Sequence, residues 1–208
     1  MENAWLARIK RILAIAETGR NFTSDDFERE RYDELSAIAR GMLADLGSVP
    51  LNRIDGLVPE YTAKYATPSI DVRGAVIRGD RILLVREKLD GKWSLPGGFA
   101  DIGYSAAENT EKEVFEEAGL QVRAERLYAL RHKAKHAAYP PDVRDFYKLH
   151  FLCREEAEVD PEIGPETTDV GFFTADALPV LSLGRIMEQD ITDAFAAHAA
   201  SDGRVFMD

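Results

Sequence analysis

The chain has 208 residues, 45% of them hydrophobic and 30% charged. That is long enough to bury most of the surface an unfolded chain exposes, and the composition lies outside the disordered and fibrous classes. Its 37 acidic residues outnumber 26 Lys and Arg for a formal net charge of −11, which argues against holding nucleic acid on a basic stripe, so no stable nucleic-acid partner is expected.

A small anionic ligand remains compatible with this charge if a metal ion and a few basic side chains reverse the field locally. The lone cysteine, Cys153, sits in an apolar run over residues 149–153. It reads as a small buried hydrophobe and fits a reducing compartment. No stretch approaches the roughly 20 apolar residues of a membrane span, and residues 1–12 lack the apolar core of a signal peptide. A cytoplasmic protein without a membrane partner is the expectation.

In chain order, Trp5, Leu6, Ile9, Ile12, Leu13 and Ala16 recur at helical spacing and predict an amphipathic helix ending near Thr18-Gly19. Thr23 or Ser24 is placed to cap a second helix that reaches Leu46. Phe27, Leu35, Ile38, Ala39, Met42 and Leu43 would form its apolar face, and Gly47 its end. Residues 48–68 carry Pro50, Gly56, Pro59 and Pro68 without periodicity and read as a short helical piece plus linker. The predicted division is therefore a helical domain over 1–67 and a second domain over 68–208. Two helices alone make a thin core, so burial against the rest of the chain or a second copy, as a homodimer, is expected.

Beyond Pro68 the pattern turns to strands, with a hairpin over 70–77 and 82–85 around Arg78-Gly79-Asp80. Further strands are predicted at 127–130, 146–153 and 170–173, and helices at 105–118 and 184–200. This order predicts an α/β sandwich around a mixed sheet.

The chemistry concentrates in residues 93–104 (WSLPGGFADIGY) and the helix after them. Ser105 and Glu108 form a capping box at its start, and Gly119 stands where a glycine ends a helix. Glu113, Glu116 and Glu117 fall at i, i+3 and i+4, on one face. Such a face is either solvated or coordinates a hard cation such as Mg²⁺. Glu108 and Glu111 point elsewhere, toward solvent. The Gly97-Gly98 pair lets the backbone come close and turn a carbonyl inward, or makes an ordinary tight turn.

These residues resemble the Nudix box, G-x5-E-x7-R-E-U-x-E-E-x-G-U. Gly98, Glu113, Val114, Glu116, Glu117, Gly119 and Leu120 match it, preceded by Leu-Pro-Gly-Gly at 95–98. Tyr104 and Lys112 depart, standing where the pattern has Glu and Arg. Those two residues of the family pair to support the loop, so their joint change bears on loop geometry and substrate class. The wider chain resembles a subfamily with an N-terminal helical domain that includes bacterial CDP-choline pyrophosphatases, through residues 26–32 (DFERERY), 71–76 (DVRGAV), 84–87 (LVRE) and 178–183 (LPVLSL).

The resemblance implies a Nudix fold, an α/β/α sandwich, behind a small dimerising helical domain. It implies Mg²⁺, with Mn²⁺ as a substitute, held by Glu113, Glu116, Glu117 and the carbonyl of Gly97. Glu113, Glu117 and Glu166 are the expected catalytic residues, with Asp169 second to Glu166 as the distal carboxylate. Arg73 and Arg86 are assigned to phosphate. Lys133 and Lys135 are read as surface charges, and His132 and His136 as loop residues without a metal role. Tyr104, Phe99, Tyr139 and Tyr147 could cage a quaternary ammonium. The expected reaction is hydrolysis of CDP-choline to CMP and phosphocholine. ADP-ribose or another nucleoside diphosphate sugar, RNA-end processing and a non-catalytic nucleotide sensor are the alternatives.

Overall fold

The structure is a computed structural model describing residues 3–48, 66–101, 103–200 and 203–208. Most of the expected linker, residues 49–65, therefore falls outside the described residues. The chain divides into two compact units, Met1–Ser69 with Pro141–Phe146, and Ile70–Pro140 with Tyr147–Asp208.

In the first unit α1 (Ala4–Phe22) and α2 (Asp26–Gly47) form a helical hairpin. α1 does not stop at Gly19. A Cβ there would lie 2.4 Å from the Tyr32 ring, so this glycine is a notch for a side chain of α2. The cap of α2 is Asp25, whose carboxylate accepts from Glu28 N–H at 3.0 Å. Thr23 instead donates its hydroxyl to Glu28 at 2.6 Å. Helix α2 ends at Gly47, with Ser48 in the left-handed region, φ 51°.

Leu6, Ile9 and Leu13 pack with Ala39 and Leu43, and Val143 joins them from the 141–146 segment. Lys10 ties that segment down by donating to the Arg144 carbonyl at 3.2 Å and pairing with Asp145 at 3.3 Å. Trp5, Phe27, Leu35 and Ile38, expected on the buried faces, are exposed, as are Ile15, Phe22 and Leu46. One seam between two helices covers only a narrow stripe of each.

The second unit contains β1 (Ser69–Arg78), β2 (Arg81–Glu87), β3 (Trp93–Ser94), α3 (Ala106–Ala118), β4 (Val122–His132), β5 (Phe146–Glu155), β6 (Thr167–Thr174), α4 (Glu188–Ala199) and β7 (Phe206–Met207). Among the described residues the strand order is β3-β2-β1-β5-β4-β7, with β6 also on β2. β4 runs antiparallel to β5 and parallel to β7, so the sheet is mixed, as the order of elements predicts.

Alternation along β2 explains the layers. Ile82 and Leu84 enter a cluster with Tyr128, Ile186, Ile191 and Ala194 beneath α4, while Leu83 and Val85 join Val114, Ala118 and Leu120 of the α3 side. The run is apolar on both faces because both faces are covered.

The β1–β2 hairpin pairs only at Ile77–Ile82 and Arg78–Arg81. On its other edge β2 pairs with β6 along its whole length, from Arg81 opposite Thr174 to Glu87 opposite Thr167. The loop after β3 runs beside β1 instead: Gly74 N–H donates to the Pro96 carbonyl and Val72 N–H to that of Gly98, both at 2.9 Å. This lays the Gly97-Gly98 pair against α3.

Candidate active site

Helix α3 starts at the predicted capping box, with Ser105 accepting from Glu108 N–H at 3.2 Å and Glu108 accepting from Ser105 N–H at 2.7 Å. Gly119 ends it in the left-handed region, φ 69°. The terminal carbonyls of a helix lack partners within it. Here the following loop supplies them: Glu162 N–H bonds to the Ala118 carbonyl at 2.9 Å, and Gly164 N–H and the Thr167 hydroxyl to that of Glu117 at 3.3 and 3.1 Å. A Cβ on Gly164 would lie 1.9 Å from the Glu116 carbonyl, so the loop can dock only with glycine there. This docking carries Glu166 to the C-terminal end of α3.

Gly97 has φ 146°, and a Cβ at this position would stand 2.0 Å from the Val72 carbonyl. With its neighbours' carbonyls used by β1, its N–H donates to Glu117 at 2.9 Å. Glu113 lies against Gly98, where a Cβ would be 3.0 Å from one carboxylate oxygen. The double glycine is thus a cradle for two carboxylates. Burial pushes Glu117 up to about 7, with Glu87 and Glu113 adding to the effect and Arg73 and the Gly97 N–H opposing it. Burial raises Glu113 as well, and Glu116 and Glu166 push the same way. Carboxylates that repel one another while half-buried or buried favour a neutralising partner, a proton or a cation.

Glu116 is exposed and accepts from Lys112 at 2.9 Å. Among the described residues no three acidic, histidine or cysteine side chains converge as they would around one ion. The donors nevertheless suit a hard divalent cation in kind, being carboxylate oxygens set around a loop that glycine keeps open.

Other expected residues fall differently. Arg73 is buried, with Nε and Nη2 each 2.9 Å from the Asp71 carboxylate and Nη1 donating to Ser94 Oγ at 3.3 Å and the Leu95 carbonyl at 3.2 Å. All three of its nitrogens are engaged beneath the loop. Arg86 is exposed on β2, its Nε donating to the Gly91 carbonyl at 2.8 Å. Tyr104 and Phe99 are exposed, whereas Tyr139 is buried and donates its hydroxyl to Asp190 at 2.7 Å. Tyr147 sits edge-on to His132. Of these four rings Tyr139 alone is held in the core.

Lys133 is buried rather than a surface charge, and His136 faces the Asp208 carboxylate. Glu111 is not free in solvent but accepts from Ala124 N–H at 2.9 Å, pinning the start of β4. Lys112 reaches Asp101 at 3.3 Å, so the loop is tied to α3 from a position three residues before Tyr104. The departures at 104 and 112 thus keep a salt bridge between loop and helix but move its acid.

Residues 68–194 match the NUDIX domain family, more than half of the chain. The chain belongs to the Nudix hydrolases. Residues 3–58 match the UDP-X-like, N-terminal oligomerisation domain. YjhB of Bacillus subtilis (strain 168), named provisionally as an ADP-ribose pyrophosphatase, is 43% identical over 88% of this chain and 86% of its own. A crystal structure of a UDP-X diphosphatase is 32% identical, covers 98% of both chains and has a TM-score of 0.62. That of an ADP-ribose pyrophosphatase from Streptococcus suis 89-1591 is 38% identical over 68% of this chain and all of that one, also at 0.62.

Two features of this Nudix hydrolase escaped the sequence reading. Glu87 is buried, its carboxyl raised by burial and by Asp90 and Glu166 while Arg185 and Arg73 draw it down. Arg185 meets it, Nε to Oε1, at 2.8 Å. The alternation of β2 held the signal for the first: with Arg86 outward, Glu87 turns inward. No local pattern marks Arg185.

Proposed function

We propose that this Nudix hydrolase cleaves the diphosphate bridge of a nucleoside diphosphate linked to X, with Mg²⁺ as its cation and Mn²⁺ as a substitute. The observation that carries the reading is the pairing of Glu113 and Glu117 against the Gly97-Gly98 loop. Glu113, Glu116, Glu117 and the carbonyl of Gly97 would hold the cation, with Glu116 exchanging Lys112 for it. When bound, such a cation supplies Lewis-acid stabilisation of the charge on the diphosphate.

Water attacks one phosphorus, the bridging P–O bond breaks, and the products are a nucleoside monophosphate and the phosphate of X. Glu166 takes the proton of that water, supported by its place on the loop docked at the end of α3 and by the negative charge it adds beside Glu113 and Glu87. Arg86, exposed at the end of β2, receives a phosphate oxygen. Arg73 acts indirectly, holding the Leu95 carbonyl from below and lending positive charge to Glu117. Tyr104 offers an exposed ring to the nucleotide.

For X we favour a sugar, as in the ADP-ribose pyrophosphatases that resemble this chain. CDP-choline is the weaker substrate on this reading, since Tyr139 is turned into the core and leaves no four-ring cage. The match to an oligomerisation domain and the exposed Trp5, Phe22, Phe27 and Ile38 support a homodimer formed through the helical unit. Release of nucleoside monophosphate from UDP-glucose, ADP-ribose and CDP-choline with Mg²⁺ tests the assignment. Cleavage of the choline ester in preference to both sugars would overturn the choice of X.

A further inference from the structure

We propose that Arg185 is a substrate-binding residue of this site, its guanidinium donating to an anionic oxygen of the nucleoside diphosphate–X molecule. The inference rests on the functional reading above.

Arg185 lies in the turn before α4, where its N–H bonds to the Ser182 carbonyl at 2.8 Å. One side of its guanidinium is fixed by two segments. Nε meets Glu87 of β2 at 2.8 Å, and Nη1 donates to Ser182 Oγ at 3.1 Å and lies 3.8 Å from Asp90. These holders are themselves interlocked: the Ser182 hydroxyl donates to Asp90 at 2.7 Å, and Ser182 N–H bonds to the Trp93 carbonyl at 2.7 Å. Nη2 makes no hydrogen bond among the described residues, and the side chain is 26% exposed. A fork held on one side and open on the other loses little entropy on receiving an anion.

Its neighbourhood is that of the candidate site. Glu87, which meets Arg185, stands opposite Thr167 of β6, whose hydroxyl bonds to the Glu117 carbonyl at 3.1 Å, and the next residue, Lys88, donates its N–H to the Glu166 carbonyl at 3.4 Å. Arg86 is the other exposed guanidinium nearby, and three further cations are more fully committed. Arg73 has its three nitrogens engaged, Lys112 is bound by Asp101 and Glu116, and Lys148 is buried on Asp71 at 3.0 Å. Arg185 joins a rigid mounting, partial exposure and an open donor edge, which is what recognition of a phosphate or carboxylate needs.

The anionic oxygen belongs either to the diphosphate or to an acidic X, and the two sources separate experimentally. Wild type, Arg185→Gln and Arg185→Lys are compared on UDP-glucose and UDP-glucuronate by steady-state kinetics, and by titration calorimetry with the same ligands under Ca²⁺. Arg185→Gln is expected to raise KM and Kd by about 10- to 100-fold with kcat within about threefold, and Lys to restore part of the loss. Loss on both ligands assigns the diphosphate; loss on the uronate alone assigns X.

Unchanged KM and Kd on both ligands, with a lowered unfolding temperature, would reduce Arg185 to a brace of the β2–β3 turn and overturn the proposal. Binding that depends on Arg185 without any cleavage by wild type would defeat the functional reading and leave this one standing. Absence of wild-type binding to these two ligands and to ADP-ribose would defeat both.

Discussion

The backbone N–H of Gly97 donates to the carboxylate of Glu117 at 2.9 Å, so the loop beside β1 and the last turn of α3 are locked to each other. The bond requires the Gly97 backbone at φ 146°, with the Val72 carbonyl where a Cβ would stand. Gly97→Ala is therefore expected to lose activity by at least about 100-fold and stability by about 2–4 kcal/mol. Thermal unfolding and turnover under saturating Mg²⁺ check this. An alanine variant with wild-type kcat would show that the loop relaxes without consequence.

Glu166 stands on a loop held by bonds to the Ala118 and Glu117 carbonyls, so removing its charge should leave the loop in place. Glu166→Gln is expected to lower kcat by about 10²- to 10⁴-fold, the usual worth of a positioned base, with KM and unfolding temperature little changed. Intact turnover would shift the role of proton acceptor to Glu113 or Asp169.

His150 is wholly buried, 3.8 Å from Asp190, and burial lowers its pKa to about 4. In the unfolded chain a histidine titrates near 6.5. Between those values the unfolded state binds the extra proton, so stability is full above about pH 6.5 and falls as the pH drops toward 4. Urea unfolding at pH 7 and pH 5 is expected to show a loss on the order of 2 kcal/mol from this residue. His150→Gln should flatten that part of the slope. Equal slopes in the two proteins would place the acid sensitivity elsewhere.

The exposed apolar side chains of α1 and α2 are the surface through which the proposed homodimer would form. Phe27→Glu combined with Ile38→Glu is expected to convert a dimer to monomer in sedimentation while leaving helix content unchanged. A wild-type monomer at micromolar concentration would refute the dimer directly.

Much of α3 was legible because its signals are local. The capping box, the i, i+3, i+4 carboxylates and the terminal glycine depend only on helical geometry, and each appears where the spacing puts it. The β1–β2 hairpin likewise follows from its turn residues, with Gly79 at φ 61°. What failed was set by distant partners. Gly19 looks like a helix stop until Tyr32 packs across it. Arg73 reads as a phosphate ligand on a strand, but Asp71, two residues before it on β1, and the Leu95 carbonyl claim it once the loop folds back. Lys112 found its acid at Asp101, a pairing that no spacing rule singles out.

Glu117 and Glu113, set against the double glycine, are proposed to make this chain a cation-dependent diphosphate hydrolase. The most direct test is release of nucleoside monophosphate from UDP-glucose and ADP-ribose, with Mg²⁺ and after chelation, by wild type and Glu117→Gln. Cleavage by wild type, its loss on chelation and recovery on adding Mg²⁺, and a drop of at least about 10³-fold in the variant with its fold intact are expected. Cleavage that survives both the chelator and Glu117→Gln would contradict that role.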